Sequence, residues 1–456
     1  MKRGLIGFTV LILVIGTLLS GGAVAKPATL NMLVWNSEQM PRWIPYAEKI
    51  AKDMGIGLQV QTNTFDGVRD KAILDFMSGS QTWDIILVED KWVAEFAKLG
   101  LVIPIDDFVK RGVADPSILD IDDLNPAIRP LQVFNDKRYG LPFMIDSVIV
   151  LAYRKDIFED PREKAAFKAK YGYELAVPET YDQYRDIAEF FTRKAGEMLC
   201  GSVLKSDFYG ISHSNKKNGF LWHDYIPYML AFGEEFGYDA KKLVPTWNSE
   251  ANRKAAEFYV SLTKFMPPGH INMTSGEATS MFAQGKVAMQ EEYYFRIREI
   301  AGADTSLVKD KYAVAPLPSA VKSHPTLLST AAWAVYAKSK QSDLAYKFIE
   351  RLYSAEYDRR KALEVKNYIP FRISTIRNPE IRKKAGAHFI PFLEGIVNNP
   401  KVEIHKHPML IEYPQMIDIY EDSLSKALTG RATVEQALEE GQRALERLFH
   451  KAGYIK

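Results

Sequence analysis

The feature that most constrains this chain is the way its apolar pattern changes period between residues 30 and 88. Residues 30–35 (LNMLVW) are short and apolar, as a covered strand requires. Residues 45–54 then place Ala47, Ile50, Ala51 and Met54 on one helical face, and Gly55 ends the run. Residues 58–65 (LQVQTNTF) alternate as a strand, residues 69–77 read as a helix, and residues 84–88 (DIILV) form an unbroken apolar strand. Parallel neighbours cannot be joined by tight turns, so strand–helix–strand–helix–strand implies a parallel sheet with helical crossovers. Such a sheet is covered on both faces, which accounts for the continuous run in DIILV.

Helices dominate further along. Thr180-Tyr181-Asp182-Gln183 fits a capping box, opening a helix with Tyr184, Ile187 and Phe191 on one side. Thr433-Val434-Glu435-Gln436 repeats the device for a terminal helix with Val434, Leu438, Gly441, Leu445 and Leu448 inward. Residues 312–317 and 332–336 read as strands, followed by a helix over 342–353. There is no internal repeat, low-complexity tract or Gly/Ser linker, so domains should be joined by packed crossovers. At 456 residues, two or three folding units are expected.

Residues 1–25 have the three parts of a secretory signal: basic Lys2-Arg3, an apolar stretch from about Leu5 to Leu19, and Ala23-Val24-Ala25 before the cut. The apolar stretch is shorter than the roughly 20 residues a spanning helix needs. Leu18-Leu19-Ser20-Gly21 opens like a lipoprotein box, but Gly22 stands where the lipidated cysteine would be. The reading is a soluble periplasmic protein beginning near Lys26. Lys and Arg total 59 against 57 Asp and Glu, and removing Lys2 and Arg3 leaves 57 − 57 = 0. A neutral chain of this size has no bulk attraction for polyphosphate, so no nucleic-acid partner is expected. The single cysteine, Cys200, excludes an internal disulfide and any cysteine-rich metal site, and makes a monomer the default.

In open α/β sheets, ligands bind beyond the carboxyl ends of the parallel strands. Those ends carry Trp35, Asn36 and Glu38, then Phe65 and Asp66, then Glu89, Asp90 and Trp92. Acids and amides beside aromatic rings suit a carbohydrate or polyol, whose hydroxyls want charged acceptors and whose C–H faces want flat rings. Tyr293-Tyr294 as a ferric pair and His405-Lys406-His407 as a zinc site are weaker readings, the latter for want of a third ligand. Gly55-Ile56-Gly57 lacks the third glycine of a dinucleotide fingerprint, and Gly285-Lys286 lacks the rest of a phosphate loop. No metal or cofactor is expected, and HExxH and GxSxG are absent from the sequence.

A series of ordered segments carries a resemblance. It comprises Trp83-Asp84-Ile85-Ile86, Tyr139-Gly140-Leu141-Pro142-Phe143, Tyr153-Arg154-Lys155-Asp156 and Val177-Pro178-Glu179-Thr180-Tyr181. It continues with residues 282–289 (FAQGKVAM), Ala315-Pro316-Leu317-Pro318, residues 329–334 (STAAWA) and Tyr368-Ile369-Pro370. Together they resemble the extracellular solute-binding proteins of ABC sugar importers, the group that includes maltose-binding protein. The resemblance implies an α/β, two-lobed, periplasmic binding protein-like II fold with extra C-terminal helices and three crossings between lobes. It places the crossings near residues 145–147, 317–328 and 371–375. The expected lobes are then residues 26–146 with 326–373, and residues 147–325 with 374–456. Carried over by position, it adds Asp146, Tyr293, Tyr294, Trp333 and Arg372 to the site, with Glu292 beside them and with Trp222 and Asp224 opening a helix that faces the cleft. On this reading Trp333→Ala should weaken ligand binding more than it lowers the stability of the empty protein.

The function so implied is capture of a sugar or sugar alcohol and its delivery, unaltered, to a membrane permease. Two alternatives stand beside it. The acids Asp66, Glu89, Asp90, Asp146 and Asp224 would also suit a cationic solute such as a polyamine. A glycosidase would need two carboxyls about 5–5.5 Å apart across the scissile bond. Glu291 and Glu292, adjacent in an extended segment, point to opposite faces and make a poor pair.

Overall fold

The computed structural model describes residues 27–36, 40–217, 219–322, 324–365 and 367–456. The leader lies outside them. Strand Thr29–Trp35 sits in parallel between Gly57–Asn63 and Ile85–Glu89, with Met32 opposite Ile85. Helices Met40–Asp53 and Phe65–Ser78 make the crossovers. The first begins at Met40 rather than residue 45 and carries Pro45 inside; the second begins where the alternating run was expected to end, because Thr64 caps it by accepting from the Gly67 N–H. All five residues of Ile85–Glu89 are buried, as the apolar run requires. Ala331–Val335 and Leu141–Pro142 extend the sheet in antiparallel pairing, so it has five strands and is mixed.

A second sheet orders Tyr209–Ile211, Val287–Tyr293, Ile149–Arg154 and Tyr312–Ala315. Each sheet has its own apolar core. Leu33, Ile86, Trp333, Phe348 and Phe371 belong to the first; Ile187, Trp222, Met289, Tyr420 and Leu445 belong to the second. Both predicted capping boxes are present, at Thr180 with Gln183 and at Thr433 with Gln436, and a third joins Thr274 to Glu277.

The crossings are stitched to one another. Val148 bridges Leu328, the Ser329 N–H donates to the Ser147 carbonyl at 3.0 Å, and the Leu328 N–H donates to the His405 carbonyl at 2.9 Å. Pro325–Leu327 pairs in parallel with Glu403–His405. The third crossing therefore runs between residues 397 and 413, not near 371–375. Helix Pro379–Phe392 buries Ile381, Phe389 and Phe392 in the first core, so the first lobe extends beyond residue 373 to Val397. An amphipathic helix shows which face it buries but not which lobe it covers, and that is why the sequence left this boundary misplaced. Tyr413–Leu428 and Val434–Ala452 then complete the second lobe.

Candidate functional site

The carboxyl ends of the three parallel strands face the second lobe across a cavity of about 660 Å³. The first lobe contributes Trp35, Asn36, Asp66 and Glu89; the second contributes Phe220, His223, Ser275, Tyr293 and Arg296; Ser147 and Ser329 come from the crossings. Phe65 forms the aromatic contact between walls. Its ring centroid is 5.2 Å from Trp35, 4.8 Å from Trp92 and 5.7 Å from Phe220 of the opposite lobe. On the far wall Tyr293 stacks on Phe295 with centroids 5.8 Å apart, and the Arg296 guanidinium lies over Phe295 and Phe220.

The acidic end is built around one hydroxyl. Ser329 Oγ contacts Glu89 Oε1 and lies 2.8 Å from Asp90 Oδ1. A hydroxyl carries one hydrogen, so both contacts are hydrogen bonds only if one carboxyl keeps its proton. Burial raises both acids, Asp90 well above the usual carboxylate range with help from Glu89. Burial also lowers the ammonium of Lys91, which lies 4.7 Å over the Phe65 ring and draws on Glu89 and Asp66. Asp66, in the first turn of its helix, is raised by burial and lowered by Lys91.

Of the residues predicted for the site, Trp35, Asn36, Asp66, Glu89 and Tyr293 line the cavity. Asp90 supports it from behind through Ser329. Glu38 lies outside the described residues. The others are placed elsewhere, each for a physical reason. Trp222 is fully buried in the second core and donates to Tyr413 Oη at 2.9 Å. Asp224 accepts from the Ser214 N–H, and burial pushes it up to about 8. Glu292 is paired with Arg296 at 3.1 Å. Tyr294 alternates away from the cavity and stacks on Phe392 at 4.0 Å. Asp146 pairs with Arg298 at 2.8 Å beside the first crossing. Trp333 stacks on Phe143 at 4.7 Å in the first core. Arg372 donates to the carbonyls of Tyr353, Asp120 and Ile118, fastening loops of the first lobe.

Neither Glu291 nor Glu292, already a poor pair for hydrolysis, lines the cavity: Glu291 is buried against the tyrosine-rich second core and Glu292 is ion-paired. His405 and His407 contact Glu403 and Tyr413, and among the described residues no group of three or more His, Cys, Asp and Glu is placed to hold a metal. The sequence reading missed His223, Ser275, Arg296, Phe220 and Ser329 as wall residues. His223 stands between two residues that were chosen, and one helical step of about 100° separates a wall residue from a core residue.

Two lobes closing on a cavity lined from both sides define a solute-binding protein. Residues 35–359 match the family of bacterial extracellular solute-binding proteins, and the chain belongs to that family. A mannitol-binding protein of Pseudomonas aeruginosa is 26% identical over 364 residues, which are 75% of this chain and 76% of that protein. A maltotriose-binding protein of Pyrococcus abyssi is 21% identical over 309 residues, 66% of this chain and 57% of that one. An ABC transporter solute-binding protein of Agrobacterium radiobacter, solved in complex with ribitol, is similar in fold. Its TM-score is 0.76 at 23% identity, covering 93% of this chain and 99% of that chain. Proteins of this family bind solutes rather than transform them. Among the described residues no helix is long and apolar enough to cross a membrane.

Proposed function

We propose that the cleft captures a sugar or sugar alcohol in the periplasm and hands it unaltered to the permease of an ABC importer, with the protein acting as a monomer. The observation that carries this reading is the cavity itself: aromatic rings from both lobes and acids, serines and a histidine line one shared space. Rings suit sugar C–H faces and carboxylates suit hydroxyls. The names of the relatives, for mannitol, maltotriose and ribitol, agree with it. A cationic solute fits less well, because Arg296 lies in the wall and Lys91 lies under Phe65. A micromolar complex needs about −8 kcal/mol, within reach of a few charge-assisted hydrogen bonds at about 1.5–3 kcal/mol each after ordering costs.

Thermal unfolding against a panel of neutral sugars, polyols and polyamines tests this reading, since a ligand bound by the native state alone raises the melting point by mass action. At least one neutral polyhydroxy compound should stabilise the protein, and polyamines should not. A shift produced by polyamines alone would overturn the reading, as would turnover of an oligosaccharide.

A further inference from the structure

We propose that His223, Ser275 and Tyr293 form the hydroxyl-reading row of the second lobe, the side chains that decide which neutral polyhydroxy compound the cleft retains. This rests on the sugar or polyol reading above and adds to it the residues that select the ligand. The observation is a group of buried, unpartnered polar atoms on the second wall. On the first lobe the Glu89 carboxyl is already engaged by Ser329. On the second lobe three residues that line the cavity carry buried polar atoms without a protein hydrogen-bond partner: both ring nitrogens of His223, the Ser275 hydroxyl and the Tyr293 hydroxyl. They come from three different elements, helices Leu221–Ala231 and Ser275–Ala283 and strand Val287–Tyr293. The three residues are 4%, 3% and 5% exposed.

A buried polar atom without a partner is costly; others lie in the cores of both lobes, but these belong to residues that line the cavity. Four such atoms on three residues of one wall are groups that a bound ligand could satisfy. Their chemistry also specifies the ligand. The imidazole stays neutral, since burial lowers it well below its ordinary value and Lys91, His407 and Arg296 all oppose a further positive charge. A neutral imidazole offers one donor and one acceptor, and each hydroxyl can do both. That set matches vicinal hydroxyls, which also donate and accept. An ammonium would leave the donors unmet, and a carboxylate would leave the acceptors unmet. The His223 ring lies 5.5 Å from the Tyr293 ring and 5.6 Å from that of His407, whose Nδ1 is engaged by Tyr413, so the imidazole is fixed between neighbours.

The test uses the full chain and the variants His223→Phe, His223→Gln, Ser275→Ala and Tyr293→Phe, with calorimetric titration of D-mannitol and ribitol and thermal unfolding without ligand. Each apolar variant should weaken binding roughly tenfold or more while leaving the melting point of the empty protein unchanged or raised, because an unsatisfied buried group has been removed. His223→Gln, which keeps a donor and an acceptor, should bind better than His223→Phe. Affinities within about twofold of the parent in all three apolar variants would overturn the row while leaving the sugar or polyol reading standing. So would a lowered melting point with unchanged affinity, the signature of a structural role. Failure of the parent chain to bind any neutral polyhydroxy compound would remove the underlying reading and this inference with it.

Discussion

Side-chain direction decides which of two adjacent residues meets the solute. Trp222 and Asp224 flank His223 on one helix, yet only His223 lines the cavity. Tyr293 lines it and Tyr294 turns toward Phe392. Residue type marked these segments as site-forming, but choosing the member of each pair needs the helix phase and strand face, which a single sequence fixes only within a residue or two. Trp333 shows the same error along a strand. Its strand runs antiparallel to Ile85–Glu89, so the cleft receives Ala331 at the strand's beginning, and Trp333 lies deeper, opposite Leu87. Trp333→Ala should accordingly lower stability by about 3–5 kcal/mol, as large-to-small core changes do. Chemical unfolding checks this, and the loss should appear with or without ligand, contrary to the expectation from sequence. Asp224 gives a pH-dependent counterpart. Its carboxyl, pushed up to about 8 from an unfolded value near 3.8, binds a proton in the folded state where the unfolded chain does not. That contribution to stability is present at acidic pH and is lost as pH rises toward 8. Asp224→Asn keeps an acceptor for the Ser214 N–H and should flatten the fall in melting point between about pH 4 and 8, measured by calorimetry.

Elements were more legible than residues. The three parallel strands were readable because each combines a short apolar run with a flanking helical period, and the structure pairs them as the connections require. Helix Ser342–Tyr353 has the expected bounds. The capping boxes were readable because their mechanism is local, depending on a hydroxyl and an amide three residues apart. Thr433→Ala should therefore cost about 1 kcal/mol, read as a lower denaturant midpoint with an unchanged slope. The third box, at Thr274, opens the helix that carries Ser275 to the cavity, so capping chemistry and wall chemistry meet within two residues. What the sequence did not reveal was pairing that depends on distant partners. The resemblance placed Ala331–Val335 in the first lobe, but nothing in the segment announces that it runs antiparallel beside a strand more than 200 residues earlier.

At the scale of the molecule, the two sheets with separate cores make a pair of lobes joined through crossings that are bound to one another. The overall architecture was legible through ordered segments spread over the chain; the position of the third crossing was not, because a helix docks on whichever lobe offers a complementary face. Ser147 and Ser329, at the crossings between lobes, also line the cavity, so a solute held there would lie against the segments that join the lobes. A ligand shifts such an equilibrium only by binding one arrangement better than the other, and a cavity with walls from both lobes supplies that difference. Small-angle X-ray scattering with and without a saturating amount of the neutral compound that most raises the melting point tests this directly. The account predicts a smaller radius of gyration with one ligand bound per chain, and recovery of that compound unchanged. Unaltered dimensions at saturation, or a chemically changed compound, would contradict it.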